Sequence, residues 1–380
     1  MKSKSYFSRV KDRVNILKRK FFERLRKIAP VIIQQQRNVD FLIVYNPYSG
    51  SQVSREKGRE IFNFLREKGF TCLVTQTHPK KDYLPKKVNA KFILALGGDG
   101  TVHRIVNEMI KRELDSFLVA FPYGVGNDFA TSQGFSAYTF KKFVSKYEKF
   151  IKEGKLDKIP FKRIDVGKLE YSIKGKPQVV YFVNVAGINS FDTEVLKNIY
   201  NLYKRKAYTS EEYLFPLLQS VFSFKPLEYK VEYKRRYKEK SFKSKTGGFL
   251  VYNNSFCAGG NLNLPEAKID DGYLNIILFK PIPKWNIPRI AYGIIKHYIF
   301  ERLNYEVFKE VDPFKEYFKN PKVKHGDVIR DCFKELVVSP VYIFQCDGEL
   351  YNVQCDKMRI TVLEKVIKIP NREEEISVKE

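Results

Sequence analysis

Between Phe41 and Asp128 four apolar runs alternate with polar or helix-patterned segments. Phe41 to Tyr45 reads as a strand, ends in Asn46-Pro47-Tyr48-Ser49-Gly50, and gives way to a helical pattern through Ile61, Phe62 and Leu65 that stops at Gly69. Phe70 to Thr75 is a second strand. Phe92 to Leu96 is a third, running into Gly97-Gly98-Asp99-Gly100 before a helix expected to begin near Thr101. Ser116 to Phe121 is the fourth, followed by Pro122-Tyr123-Gly124-Val125-Gly126-Asn127-Asp128. Strands alternating with helices imply a parallel sheet whose ligands sit at the carboxyl ends of the strands, and all three glycine-bearing loops fall there.

From about Phe161 the pattern changes to short, aromatic-rich alternating segments: Arg163 to Leu169, Val179 to Val185, Leu227 to Tyr237, Gly248 to Phe256 and Tyr273 to Phe279. These predict mainly antiparallel strands. Lys230 to Lys245 alternates Tyr and Val with Lys and Arg, as a hairpin with one wet, basic face would. Helices are expected at Glu211 to Phe222 and at Ile287 to Ile299, and Asn371 to Glu380 reads as a polar tail. The divisions are a 1–38 extension, a 39–160 α/β domain and a 161–362 β-rich domain.

Charge adds a partner. The chain of 380 residues carries a net +26, which favours polyanions or anionic surfaces. Residues 1–38 hold twelve Lys or Arg against Asp12 and Glu23. Val10, Val14, Leu17, Phe21, Leu25 and Ile28 draw one apolar stripe along this basic segment, the signature of a helix lying on an anionic membrane. With half of the cations engaged at about 1 kcal/mol each, attachment would be on the order of 5 kcal/mol and reversible. Packing on the body of the protein or on a second subunit is the alternative, and homodimerisation stays open. No zinc-finger or RNA-binding signature calls for nucleic acid. No apolar run approaches the roughly 20 residues that span a bilayer, and no secretory signal is seen. The expected location is cytoplasmic, peripheral to the membrane. The five cysteines are scattered and expected as buried thiols.

The glycines suggest the chemistry. Without β-carbons at 97, 98 and 100 the backbone can approach a polyanion while the N–H groups of the following helix point at it, so a nucleotide phosphate suits the loop. A ligand-free turn is the alternative, and three such loops converging on one sheet edge weigh against it. Asp347 and Glu349 flank Gly348; in an extended strand their side chains would share a face, and a carboxylate there could take a proton from an attacking alcohol. Two acids around one glycine are also an ordinary turn.

In this order, Asn46-Pro47-Tyr48-Ser49-Gly50, Gly97-Gly98-Asp99-Gly100-Thr101 and Pro122 to Ala130 resemble the diacylglycerol kinase catalytic-domain family. Ile164 to Gly167, Tyr181 to Gly187, Gly259-Gly260-Asn261, Pro265 to Gly272 and Asp347-Gly348-Glu349 resemble its later motifs. The resemblance implies an NAD-kinase-like doubly wound α/β domain, a β-sandwich-like domain, a cleft between them, and a last strand (363–380) returning to the first domain. It implies Mg²⁺-dependent transfer of the γ-phosphate of ATP to a lipid hydroxyl, foremost that of diacylglycerol. The positions it assigns to ATP are Asn46, Pro47, Tyr48, Ser49, Gly50, the weaker Thr77, Gly97, Gly98, Asp99, Gly100, Thr101, Val102, His103, Arg104, Gly124, Val125, Asn127 and Asp128. Glu349 matches its general base and Asp347 the supporting acid. Lys268, Asp271 and Tyr273 match a Mg²⁺ site.

Two departures stand out. Val125 replaces a Thr common in relatives, removing a hydroxyl worth about 1 kcal/mol in ATP binding. After Thr101 the family usually reads apolar, Asn, Glu; here Val102, His103 and Arg104 follow, which would reverse the charge beside the phosphates. An NAD kinase, or a sensor that has lost turnover, are the alternative functions.

Overall fold

The computed structural model describes residues 37–47, 49, 53–78, 81–203, 210–235, 238–257, 262–263, 267–279, 288, 292 and 328–371. The basic N-terminal stripe, Tyr48, Gly50, Gly259-Gly260-Asn261, Pro265-Glu266, all but two residues of the helix expected from Ile287, and the polar tail beyond Asn371 lie outside those residues.

The first part runs β1 (Arg37–Tyr45), α1 (Val53–Glu67), β2 (Cys72–Gln76), β3 (Val88–Gly97), α2 (Asp99–Lys111), β4 (Phe117–Pro122), α3 (Asp128–Gln133) and α4 (Ala137–Glu153). These four strands are parallel in the order β2-β1-β3-β4, so the winding reverses between β1 and β3. Their continuous apolar runs follow from burial on both faces. Phe41, Ile43 and Tyr45 face α1 and α4, whereas Leu42 and Val44 face α2. Register places Phe41, Phe92 and Phe117 side by side, with ring centroids 5.1 and 4.8 Å apart. Each such ring contributes about 1.5–3 kcal/mol by leaving water. The helix α4 was missing from the sequence reading despite its Ser136/Thr139 capping box and Gly154 stop.

The chain continues with β5 (Phe161–Ile173), β6 (Lys176–Phe182), β7 (Val185–Ile188), α5 (Phe191–Tyr203), α6 (Leu214–Ser223), β8 (Leu227–Arg235), β9 (Lys238–Thr246), β10 (Gly248–Tyr252), β11 (Phe256–Cys257), β12 (Leu262–Asn263) and β13 (Leu274–Phe279). It closes with β14 (Val328–Phe333), β15 (Glu335–Ser339), β16 (Val341–Cys346), β17 (Glu349–Cys355) and β18 (Met358–Pro370). An antiparallel sheet β14-β13-β10-β7-β16-β17 packs on the β5, β6, β8, β15 and β18 portion of the first sheet, making a β-sandwich core. The basic hairpin is present: Leu227 pairs with Thr246, Tyr229, Val231 and Tyr233 point inward, and Lys230 and Lys234 face solvent in ion pairs.

Two strands serve both cores. Ile164 and Val166 of β5 and Ile367 and Ile369 of β18 lie in the α/β core, while Leu169, Tyr171, Met358 and Ile360 lie in the sandwich. A break in register between Leu363 and Ile367, with Lys365 at φ 55°, lets β18 change direction between them. Of the cysteines with described side chains, Cys346 and Cys355 are buried; Cys72 and Cys332 are only half-buried, because they sit on partly open strand positions. Among the described residues no helix is long and apolar enough to cross a membrane.

Candidate active site

The carboxyl ends of β1, β3 and β4 meet at the switch point, where open parallel sheets bind ligands. Asn46 ends β1: its N–H donates to Leu96 O (2.9 Å), and its carbonyl accepts from the buried Ser54 hydroxyl (2.6 Å) and the Ser49 N–H. The Gly97-Gly98 and Gly124 loops touch backbone to backbone. A β-carbon on Gly124 would lie 2.2 Å from Gly98 Cα, and one on Gly98 3.1 Å from Gly124 Cα. The Asn127 side chain bridges Gly124 N–H and O at 2.6 and 2.8 Å, which holds Asn127 itself at φ 60°. Val125 is 37% exposed on this loop. Thr77 is buried: its N–H donates to Tyr45 O, and its hydroxyl engages Tyr83.

The helix α2 begins at Asp99, two residues before Thr101, and Asp99 does not cap it. Its carboxylate receives the N–H groups of Asp128 (3.2 Å) and Phe129 (3.1 Å), so it orders the start of α3 and ties the β3 loop to the β4 loop. Burial pushes the Asp99 carboxyl up, opposed by these amides and reinforced by the nearby Asp347 charge. Within Gly98 to Arg104, Thr101, Val102 and His103 are buried. Val102 belongs to the core, and His103 points toward the second sheet. The Arg104 guanidinium donates to the carbonyls of His78 and Lys81 and lies 4.1 Å from the centre of the Tyr83 ring.

The second sheet reaches this edge through a turn. Asp347 and Gly348 link β16 to β17 with φ of 50° and 81°, and Cys346 pairs with Glu349. Positive φ at both central residues makes this a tight hairpin, so the extended-strand geometry expected for Asp347 and Glu349 is not what brings them together. Asp347 is the buried member. Its carboxylate accepts from Val183, Asn184 and Val185 N–H (3.0, 2.8 and 3.2 Å) and from the His103 ring (3.1 Å). Those three amides explain why the run expected from Val179 to Val185 breaks into β6 and β7: they bond to a side chain instead of a neighbouring strand. Glu349 is half-buried at the start of β17, close enough to Tyr83 and Tyr351 for its charge to push both phenols up, after burial.

Asn184 joins the two halves. Its N–H goes to Asp347, its Nδ2 to Asp99 Oδ1 (3.1 Å), and its Oδ1 accepts from Asn254 Nδ2 (2.9 Å). Asn253, beside it, donates to the carbonyls of Asp165 and Val183. Sequence reasoning passed over Asn253-Asn254, although two buried amides closing the apolar β10 run are an unusual polar signal. The same region includes Tyr213, half-buried, whose phenol is pushed up by burial and then by the charges of Asp99 and Asp128.

Away from the switch point, Asp165 accepts from Gly272 N–H (2.6 Å) and Lys365 N–H (2.8 Å), which fixes the Ile269 to Tyr273 turn to the break in β18. Asp271 Oδ1 takes the Tyr273 N–H (3.0 Å), and burial followed by Asp165 and Asp270 pushes its carboxyl up. Hard oxygen donors crowded with negative charge suit a cation such as Mg²⁺. Among the described residues no three His, Cys, Asp or Glu side chains converge on one metal position, so such a site would lean on main-chain carbonyls such as those of Lys268 and Tyr273.

Residues 40–159 match the family model described as the diacylglycerol kinase catalytic domain. The chain is 24% identical over 256 residues to a diacylglycerol kinase of Bacillus subtilis strain 168, covering 66% of this chain and 76% of that one. It is 23% identical over 259 residues to a diacylglycerol kinase of Staphylococcus saprophyticus, covering 66% and 75%. The fold is similar to the crystal structure of a diacylglycerol kinase from Bacillus anthracis, with TM-score 0.53, 18% identity, and 88% of this chain and 97% of that chain covered. The matched domain spans the three glycine-bearing loops, and the likeness to the Bacillus subtilis and Staphylococcus saprophyticus diacylglycerol kinases continues beyond it into the sandwich.

Proposed function

We propose that this chain is an ATP-dependent lipid kinase that moves the γ-phosphoryl group of ATP to the hydroxyl of a membrane lipid, diacylglycerol first among acceptors, giving phosphatidic acid. The observation that carries the reading is the Asp99–Asn184–Asp347 chain of hydrogen bonds, which holds the hairpin bearing Glu349 against the loops suited to phosphate. Phosphoryl transfer asks chiefly for positioning and charge neutralisation. The close Gly98–Gly124 contact leaves main-chain N–H groups near the phosphates. Asn46 and Ser49 flank the opposite wall. Glu349 accepts the proton of the attacking hydroxyl, and Asp347, held by four donors, keeps its turn in place. Mg²⁺, when bound, would offset phosphate charge; Asp271 with the carbonyls of Lys268 and Tyr273 would hold a further ion that orders the sandwich loops. The basic 1–38 segment would bring the enzyme to an anionic membrane surface.

The test incubates the full chain with Mg²⁺ and ATP labelled at the γ-phosphate, plus diacylglycerol, sphingosine, ceramide, phosphatidylglycerol and NAD in separate assays. Label should enter diacylglycerol, and Glu349→Gln should lower the rate by about 10²- to 10⁴-fold. Label entering NAD, or no acceptor despite measurable ATP binding, would overturn the reading.

A further inference from the structure

His103 is a buried ring at the seam between α2 and the hairpin that carries Glu349. Its side chain is 2% exposed. Nδ1 lies 3.1 Å from Asp347 Oδ2 and Nε2 lies 2.8 Å from the Tyr351 hydroxyl. Asp347 precedes Glu349 by two residues and Tyr351 follows it by two. The imidazole therefore grips the hairpin on both sides of Glu349 from α2, the helix that begins in the glycine loop.

The proton arrangement follows from the partners. A carboxylate accepts only, so Nδ1 carries the hydrogen, and in the neutral ring Nε2 accepts from the Tyr351 O–H. Burial, then the charges of Cys346 and Glu349, push the Tyr351 phenol up, which keeps that donor protonated. Tyr351 is itself held by Phe344, stacked at 4.7 Å and 6°. A second tie runs alongside: Asn107, one turn on in α2, pairs with Tyr181 N–H and O and with the His103 carbonyl. The α2 helix is thus tied to the edge of β6, but the ring of His103 is what reaches the Glu349 turn.

We propose that His103 is a positioning residue for transfer: through Asp347 and Tyr351 it sets where Glu349 stands relative to the glycine loop. The kinetic consequence rests on the lipid-kinase reading above. An error of about an ångström in the placement of a reacting group can cost on the order of 10²-fold in rate, so a rigid bridge here affects kcat.

Two amides dissect the ring. Asn places its Nδ2 where His Nδ1 stands and keeps the Asp347 contact; Gln places its Nε2 where His Nε2 stands and forfeits it. The full chain as wild type, His103→Asn, His103→Gln and Tyr351→Phe is assayed for kcat and for KM of ATP on the acceptor that the wild type labels, with thermal midpoints measured in parallel. The expected order is wild type, then His103→Asn and Tyr351→Phe, each lacking the Tyr351 bond and lower by about fivefold, and His103→Gln lower by about 10- to 100-fold in kcat. KM for ATP should stay within about twofold throughout, as for an interaction felt only in the transition state. Nitrogen-15 spectra of the wild-type ring should show a protonated Nδ1 and an unprotonated Nε2. The opposite tautomer, an unimpaired His103→Gln, or losses of kcat that merely follow the thermal midpoint would each overturn the assignment while leaving a labelled lipid in place. A wild type that labels no acceptor would instead sink the lipid-kinase reading, and with it the transfer role of His103.

Discussion

The two walls of the cleft are built from different materials. At the ends of β1, β3 and β4 the wall is main chain, brought close because Gly98 and Gly124 have no side chains to keep the loops apart. Across from it the wall is side chain: Asp99, Asn184, Asp347, His103 and Tyr351 join segments up to 248 residues apart. A main-chain wall tolerates almost no added volume and is indifferent to most neighbouring side chains. A side-chain wall has the opposite sensitivities, because each buried partner left unpaired costs about 1–3 kcal/mol.

The sharpest way to break the contrast is Gly124→Ala. The new methyl group would sit 2.2 Å from Gly98 Cα, so the loops must part. The expected result is about 1–3 kcal/mol of lost stability by urea denaturation, with ATP affinity down by at least about tenfold. Unchanged ATP binding would mean that the loops do not form the phosphate wall.

A second comparison uses pH, at the buried carboxyl of Asp192 on α5. Burial pushes it up to about 6, against a bond from Gln345 Nε2 that pulls the other way; Ser190 also donates to it. The folded value lies above the unfolded one, so the protonated form is the one that folding favours. Its contribution is full below about pH 4 and disappears as pH rises through about 6, a change on the order of 3 kcal/mol. Asp192→Asn should flatten that slope in denaturation measured from pH 4 to 8, and a wild-type profile already flat would refute it.

Smaller effects are expected at the two departures from the family pattern. Arg104→Ala should lower stability by about 1 kcal/mol through loss of its carbonyl and Tyr83 contacts, while calorimetric ATP affinity changes less than about twofold. Val125→Thr restores a hydroxyl at a half-open position and should tighten ATP by no more than about fivefold. If Arg104→Ala weakens ATP strongly, the guanidinium faces phosphate in solution and the loop contacts are secondary.

The same division explains what could be read from the chain. The main-chain wall announces itself locally: apolar strand, glycines, helix, three times over, with the parallel sheet implied by the alternation. For the same reason the limits of the four strands read between Phe41 and Phe121 lie within about four residues of those observed, whereas β14 to β17 were not read at all. Asp347 and Glu349 could be singled out, but the turn that presents them, and the breaking of β6 from β7 around Asp347, depend on partners more than 160 residues away. His103 and Asn184 fall inside recognisable motifs and Asn254 in none, but for all three the role is hidden, since a buried amide or imidazole looks like any polar residue until its partners are known. The surroundings of Arg104 are equally hidden, because the carbonyls it donates to, those of His78 and Lys81, precede it by more than twenty residues.

The placement of β18 bears on how the chain is made. This strand sits in the middle of the larger sheet, between β4 and β15, and Lys368 reaches back 253 residues to Asp115. While a ribosome is still synthesising the sandwich, β4 has no neighbour on that side, and a parallel apolar sheet waits with an open edge. The α/β half therefore reaches its finished form only after residues 358–370 have emerged, and an interrupted nascent chain would expose the edge most apt to pair with another copy.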